Sequence, residues 1–384
     1  MTVIVTLHKT ADPEGFGESL DAAGIAFTRP MRRILICDWP DMADFPLADD
    51  PAILALENDD PEGFGIAEDV TLAALPTLGP WGLLRHTSRD RPWGAALRPP
   101  YAGSFSCVRD GTGVDIYVVD TGLRATHDEF DDRATVIDGW TALHTHGTTV
   151  ASMAAGATTG LARGALIFAA AGLRNANNTG STSDVLDAIG DCLAHYEARA
   201  ATNRPALLNL SLSGGSASYA AALDEAMDAG IVVVAAAGND RTWLSTVDVY
   251  PAEVPGVIIA GGINADDRPY DRNGYGTNFG TEVDILAAAQ SVRGADYTAD
   301  DAYRTGNGTS YASPMVVGAL ACLLEGAERL TTREQVQEVG MFLYNTATFG
   351  RYRPMPRFEP MTPAIAYVDP GAGPHEAIPT LAYG

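Results

Sequence analysis

The chain has 384 residues, 46% of them hydrophobic, and a formal net charge of −24 at pH 7. That is enough material for a large core and a smaller accessory domain. The acidic balance argues against a protein that holds nucleic acid through phosphates, because such contacts need Lys and Arg. The deficit is one of cations, since Lys9 is the only lysine.

From the amino terminus, Thr2–Leu7 reads as a strand, Pro13–Ala23 as a helix, and Ile25–Thr28 and Arg33–Asp38 as strands. Asp41–Asp50 offers room for a short helix, and Ile53–Glu57 reads as a last strand. This βαββαβ order makes residues 1–60 a small α+β unit of ferredoxin-like type. Residues 61–79 carry the Asp, Gly and Pro of a linker. Met1–Lys9 shows no charged segment followed by a long apolar one, which predicts synthesis in a cytoplasm without a signal peptide, with later export or incorporation into an assembly left open. No apolar run reaches the roughly 18–20 residues that crossing a bilayer requires.

Residues 80–350 alternate strand and helix. Val114–Val119, Ala165–Ala171, Ala206–Leu212, Ile231–Ala237, Val257–Ala260 and Val283–Leu286 read as strands. Ser183–Ala200, Ser218–Ala229, Met315–Leu324 and Glu334–Tyr344 read as helices. The alternation predicts an α/β fold with a doubly wound parallel sheet. Residues 351–384 are Pro-rich and aperiodic, and fit either an extended strap or a disordered tail. Cys37, Cys107, Cys192 and Cys322 lack metal-ligand spacing and read as buried free thiols.

Three segments carry chemistry. The strand Val114–Val119 stops at Asp120-Thr121-Gly122, which puts a carboxylate at the carboxyl edge of the sheet, where functional groups collect. His146 opens a small-residue helix. Gly308-Thr309-Ser310 leads into the continuous apolar run Met315–Leu324, so Ser310 stands in the first turn of a buried helix, beside unpaired N–H groups that favour developing negative charge. Acid, histidine and serine follow one another in the order Asp, His, Ser. Asp120-Thr121-Gly122 also matches an aspartic protease signature, but that chemistry needs two carboxylates sharing a proton. A homodimer supplying the second would leave Ser310 unexplained. His144 and His146 are spaced as a metal pair on a strand would be, although the Gly147-Thr148 that follows favours a catalytic histidine.

Together these motifs resemble those of the subtilisin-like serine peptidases, the subtilases, and most of all the proteinase K branch. Val232–Asn239 resembles the strand leading to the family's oxyanion-hole asparagine, Asn209–Gly215 the strand that pairs with substrate, and Pro80–Leu83 the start of the mature enzyme. The resemblance implies Asp120, His146 and Ser310 as catalytic triad and Asn239 as oxyanion donor. It implies Ser211, Leu212, Ser213, Gly214, Ala236 and Gly238 as substrate-binding residues of an endopeptidase acting on protein or peptide. No cofactor is expected for catalysis. A structural Ca²⁺ is expected on Pro255, Val257 and Asp284, and residues 1–60 are expected to act as an inhibitory propeptide. The junction would fall near Ala73-Ala74, with Val70–Ala73 in the non-primed subsites. Thr149 replaces a histidine, Ser152 and Ser213 replace glycines, and Ala287–Ala289 replaces Ala-Pro-Gly. The alternative is a catalytically silent protein that keeps the fold as a structural or binding element.

Overall fold

The structure, a computed structural model, describes residues 2–66, 81–91, 105, 107–142, 144–246, 250–251, 254–355, 358 and 364–368. The amino-terminal unit comprises β1 (Val3–Leu7), α1 (Pro13–Ala22), β2 (Phe27–Met31), β3 (Ile34–Cys37) and β4 (Ile53–Asn58). Its antiparallel sheet has the order β2-β3-β1-β4. Side chains on a strand alternate between faces. Val3, Val5 and Leu7 of β1 therefore pack with Phe16 and Leu20 of α1, while Ile4 joins the main core. Asp12 caps α1, accepting from Glu14 N, and Pro13 occupies the first turn, where its missing N–H does no harm. The helix expected over Asp41–Asp50 is only the 3₁₀ turn Met42–Asp44. Pro46 explains this, since the residue before a proline is driven to extended backbone, and Phe45 sits at φ −66°, ψ 122°.

The larger α/β core follows in the order β5 (Phe64–Gly65), α2 (Trp81–His86), β6 (Asp115–Asp120), β7 (Ala134–Val136), α3 (Thr145–Ala155), β8 (Leu166–Ala171), β9 (Thr179–Gly180), α4 (Thr182–Ala198) and β10 (Ala206–Leu210). Next come β11 (Ser213–Gly214), α5 (Ala217–Asp228), β12 (Ile231–Ala236), β13 (Ile258–Ile263), the hairpin β14 (Asp271–Arg272) and β15 (Tyr275–Gly276), and β16 (Ile285–Ala288). A second hairpin, β17 (Gln290–Ala295) with β18 (Tyr303–Asn307), leads to α6 (Thr309–Leu324) and α7 (Arg333–Thr346).

Seven strands make a parallel sheet in the order β16-β13-β12-β10-β6-β8-β7. Its central strands are buried along their whole length, as their unbroken apolar sequences require. Helices α3 and α6 pack on each other and on the sheet, and α4 packs against α5. Every residue of α6 is buried, in keeping with its lack of a polar stripe.

The described parts of the carboxyl-terminal segment lie on the core as an extended strap. Leu286 N donates to Ala364 O at 2.8 Å, Ala366 N to Leu286 O at 2.9 Å, and Val368 N to His86 O at 2.8 Å. Phe358, Ala364, Ile365, Ala366 and Val368 are fully buried. This strap covers the β16 edge, whose unpaired groups would otherwise be open to another chain.

Candidate active site

Asp120 ends β6 and His146 opens α3. Both are 1% exposed, and His146 Nδ1 lies 2.8 Å and 2.9 Å from the two Asp120 carboxylate oxygens. An ionised carboxylate can only accept, so Nδ1 carries the proton and Nε2 is left as the basic nitrogen. Asp120 Oδ1 also accepts from Thr121 N at 2.7 Å, which fixes the carboxylate in turn. Gly147 must lack a side chain because a Cβ there would stand 2.3 Å from Gly122 O. His144 is no metal ligand in a pair: it caps α3, its Nδ1 accepting from His146 N at 3.2 Å.

Ser310 stands in the first turn of α6, 6% exposed, with its hydroxyl donating to Ser211 O at 3.3 Å. The cap residue Gly308 has φ 147°, a conformation that favours glycine. Pro314 sits inside α6 and has no N–H to give to the Ser310 carbonyl four residues back. Ser211 Oγ supplies the missing donor at 2.8 Å. Asn209 Nδ2 donates to Ser211 Oγ at 2.9 Å and Ser313 Oγ to Asn209 Oδ1 at 2.8 Å, closing a buried network under the serine. Packing of α3 on α6 brings the His146 ring within 6.0 Å of the Tyr311 ring, centroid to centroid.

Asn239 follows β12, with Gly238 in the left-handed region at φ 93°. Its Oδ1 accepts from Thr309 N at 2.8 Å and from Thr309 Oγ1 at 3.1 Å. Two donors can meet only the oxygen, so the amide nitrogen is the atom left for a ligand. Ser213 and Gly214 form β11, Leu212 is buried beside it, Ala236 ends β12, and Gly238 follows two residues later. The structure thus gathers all of these sequence-predicted residues at one edge of the sheet.

A short strand from the segment after the amino-terminal unit pairs with β11. β5 lies between β11 and β9 in a three-stranded antiparallel sheet, with Gly65 opposite Ser213 and Phe64 opposite Gly214 and Gly180. Phe64 is 1% exposed and packs on Tyr219, ring centroids 4.7 Å apart. The β9 wall was not foreseen, because a two-residue strand leaves no periodic signal. Val70–Ala73 and the Ala73-Ala74 junction lie outside the described residues.

Acidic residues of the amino-terminal unit cap two core helices. Glu57 Oε2 accepts from Ser216 Oγ at 2.8 Å and Ser218 Oγ at 2.6 Å, at the start of α5. Asp59 accepts from Ser183 N at 3.0 Å and Ser183 Oγ at 2.6 Å, at the start of α4. Negative charge is favoured at such helix ends.

The two unusual residues of α3 have a shared use. Thr149 Oγ1 donates to Ala295 O at 2.7 Å, and Ala295 N donates to Ser152 Oγ at 2.8 Å, so α3 is clasped to β17.

Val257 and Asp284 line one cleft of about 400 Å³. Burial pushes the Asp284 acid up to about 6, against a single hydrogen bond to its Oδ2 from Ile259 N at 2.8 Å. A desolvated carboxylate together with backbone carbonyls would be a donor set of the hard, oxygen-only kind that Ca²⁺ takes. Among the described residues no group of three or more His, Cys, Asp or Glu is placed to hold a metal, so a cation here would rest on one carboxylate, carbonyls and water.

Residues 111–359 match the Subtilase family profile. The chain is 31% identical over 309 residues to an extracellular serine proteinase of Thermus sp. (strain Rt41A), which covers 78% of this chain and 68% of that protein. It is 32% identical over 272 residues to a cuticle-degrading serine protease of Arthrobotrys oligospora, covering 67% of this chain and 62% of the relative, so less than two thirds of that protein is matched. Subtilisin-like protease 3 of Arthroderma benhamiae is 36% identical over 285 residues, which are 71% of this chain and 66% of that protein. A crystal structure of a cold-adapted subtilisin-like serine proteinase superposes with a TM-score of 0.63 at 26% identity, over 76% of this chain and 98% of that one. These relatives overturn the expectation of a cytoplasmic protein, since the Thermus protein is by name extracellular. No helix among the described residues is long and apolar enough to cross a membrane. The chain belongs to the subtilase family and is a subtilisin-like serine endopeptidase.

Proposed function

We propose that the chain hydrolyses peptide bonds through an acyl-enzyme on Asp120, His146 and Ser310, and that it is made as a latent precursor. Ser310 Oγ attacks the scissile carbonyl while His146 Nε2 takes its proton, later giving it to the leaving amine. Asp120 holds the proton on Nδ1 and stabilises the imidazolium that forms. Asn239 Nδ2 and the Ser310 N–H meet the oxyanion. The observation that carries this reading is the buried His146–Asp120 contact, which puts a proton on Nδ1 and keeps Nε2 off the carboxylate, at the end of the sheet where Ser310 opens α6.

Latency rests on β5. An extended substrate would pair with β11 and β9 as Phe64–Gly65 does, so the uncut chain obstructs its own cleft. Ser211, whose carbonyl receives the Ser310 hydroxyl, lies two residues before Ser213, the partner of Gly65. A substrate keeping this antiparallel register would therefore present its scissile carbonyl two residues beyond the position of Gly65. Counted along the sequence this favours a cut after Ala67 over one after Ala73. Sequencing the new amino terminus of the matured protein tests it: cleavage far from both sites, or full activity with no cleavage, defeats the latency reading.

We further propose that Pro255, Val257 and Asp284 hold a structural Ca²⁺, which would neutralise a carboxylate that burial leaves costly. Protein and peptide chains are the substrates this cleft accommodates, through backbone pairing.

A further inference from the structure

A cavity of about 380 Å³ lies beside the first turn of α3. Its walls include Leu123 and Arg124 after β6, Trp140 and Thr141 after β7, and Tyr297 beyond β17. The backbone of these walls is tied to α3 on both sides of His146. Tyr297 N donates to Thr145 Oγ1 at 3.4 Å, and Arg124 N donates to Thr148 Oγ1 at 3.0 Å. Leu123 and Thr141 form an isolated parallel bridge. The Arg124 guanidinium donates to Tyr297 O at 3.1 Å and to Asp300 Oδ1 at 2.6 Å, which fastens the tip of the β17–β18 hairpin to the loop after β6. Asp300 also neutralises Arg124, the charged side chain in this wall, so the cavity is apolar in character.

Trp140 is 41% exposed, yet its position is fixed. Asp138 Oδ1 accepts from Trp140 N at 3.0 Å, and Asp138 Oδ2 accepts from Ala171 N at 2.6 Å. Ala171 is the strand partner of Asp120, so this carboxylate anchors the indole next to the catalytic end of β6. The Arg174 guanidinium lies 5.0 Å from the centre of the ring, a cation–π contact that further holds it.

We propose that this cavity takes a bulky apolar or aromatic side chain from the leaving-group half of the peptide substrate, with Trp140 as the specificity-determining residue. The inference rests on the peptidase reading given above, in which the acyl half of the substrate pairs with β11 and β9. Phe64–Gly65 runs antiparallel to β11 and so heads toward Ser211, whose carbonyl receives the Ser310 hydroxyl. A peptide continued in that direction leaves β9 and β11 and passes Ser310 and His146. Leu123, Trp140 and Tyr297 are the walls it then meets, and they come from elements other than β9 and β11. Because hydrogen bonds already tie these walls in the free protein, burying a ring there needs little further ordering.

The test uses matured protein and internally quenched peptides that share one acyl half. They vary Ala, Phe, Asp and Lys at each position just beyond the scissile bond. At one of these positions Phe should raise kcat/KM roughly tenfold over Ala, with Asp and Lys no better than Ala. Trp140→Ala should bring that Phe-to-Ala ratio down to about one, and Trp140→Phe should retain most of it. The ratio is taken within each variant, so a smaller folded fraction does not alter it. A peptide nitroanilide, which has no residue beyond the scissile bond, tests the triad separately in wild type. If it is not hydrolysed, the peptidase reading fails and this proposal with it. If it is hydrolysed while Phe and Ala are cut equally at every position, while Asp or Lys is preferred, or while the Phe preference survives Trp140→Ala, the proposal alone is overturned.

Discussion

The Thr309 N–H donates to Asn239 Oδ1 at 2.8 Å, so the residue before Ser310 decides which way the Asn239 amide faces. Thr309 Oγ1 donates to the same oxygen at 3.1 Å and itself accepts from Gly238 N at 3.0 Å, so the amide is oriented before any substrate arrives. Such preorganisation lets a donor act on charge that appears only in the transition state. Asn239→Ala should lower kcat by about 10²–10³ with KM little changed, the magnitude known for the oxyanion donor of subtilisin itself, a member of this family. Steady-state kinetics on a chromogenic peptide decide it. A large rise in KM at normal kcat would show that Asn239 binds the ground state instead.

Ser211 is the donor that Pro314 cannot be. Ser211→Ala leaves the buried Ser310 carbonyl without the hydrogen bond at 2.8 Å, which costs about 1–3 kcal/mol where the group stays unsatisfied. The expected loss is roughly tenfold or more in kcat, with a lowered unfolding midpoint. Unchanged kinetics would mean that the first turn of α6 is held without this bond.

Glu57 caps α5 from the amino-terminal unit. Glu57→Ala should weaken that unit's hold on the core by about 1 kcal/mol, or roughly fivefold in dissociation. Activity after processing should then appear with a shorter lag than in wild type. An equal lag would place the grip of this unit elsewhere, for instance in β5.

Acid should loosen the strap. His86 is fully buried, its Nδ1 bonded to Ala366 O at 2.8 Å and its Nε2 accepting from Ala288 N at 3.1 Å. Burial, partly offset by the Ala366 carbonyl, and the neighbouring Arg85 lower its pKa from 6.5 to about 4. The unfolded chain therefore binds a proton that the folded chain refuses between those values. This contribution is complete above pH 6.5 and is lost as pH falls toward 4, an effect of roughly 3 kcal/mol. The raised acids Asp187 and Asp284, both about 6, have the opposite sign: they favour the folded state as pH falls through 6 toward 3.8. Comparing wild type with His86→Gln across pH 4–7 isolates the histidine. Equal slopes of stability against pH would refute the assignment.

Asp284 separates calcium from burial. Without metal, Asp284→Asn should raise the unfolding midpoint near pH 7, because it removes a desolvated charge while its carbonyl can still accept from Ile259 N. Millimolar Ca²⁺ should stabilise wild type relative to EGTA and leave the variant unmoved. Identical wild-type midpoints in the two buffers would argue that no ion binds there.

Much of the site was legible because its residues sit where strong patterns break. The apolar runs Ile116–Val119 and Val232–Ala237 end at Asp120 and just before Asn239, and only a buried parallel strand explains both run and stop. The serine helix was equally plain from its unbroken apolar sequence. The β17–β18 hairpin was not foreseen: Ser291 stands at φ 56°, the register shifts between Gln290 and Val292, and Gly294 and Gly306 dilute the alternation. Nor was the His144 cap, since histidine is not among the usual cap residues. Prolines left the tail's sequence divided between strap and disorder, and the strand-like pairing at Ala364–Val368 arises from the exposed edge it covers and not from local propensity. The uses of Thr149 and Ser152 depend on where β17 lies, which is tertiary information.

The account stands or falls on the nucleophile. Matured protein should be treated with a fluorophosphonate probe beside Ser310→Ala and His146→Ala variants, and the labelled peptide identified by mass. The account predicts rapid stoichiometric labelling at Ser310 alone, none in the Ser310 variant, and labelling slowed by several orders of magnitude without His146. Matured, folded wild type that stays unlabelled, or carries the probe on another residue, would contradict it.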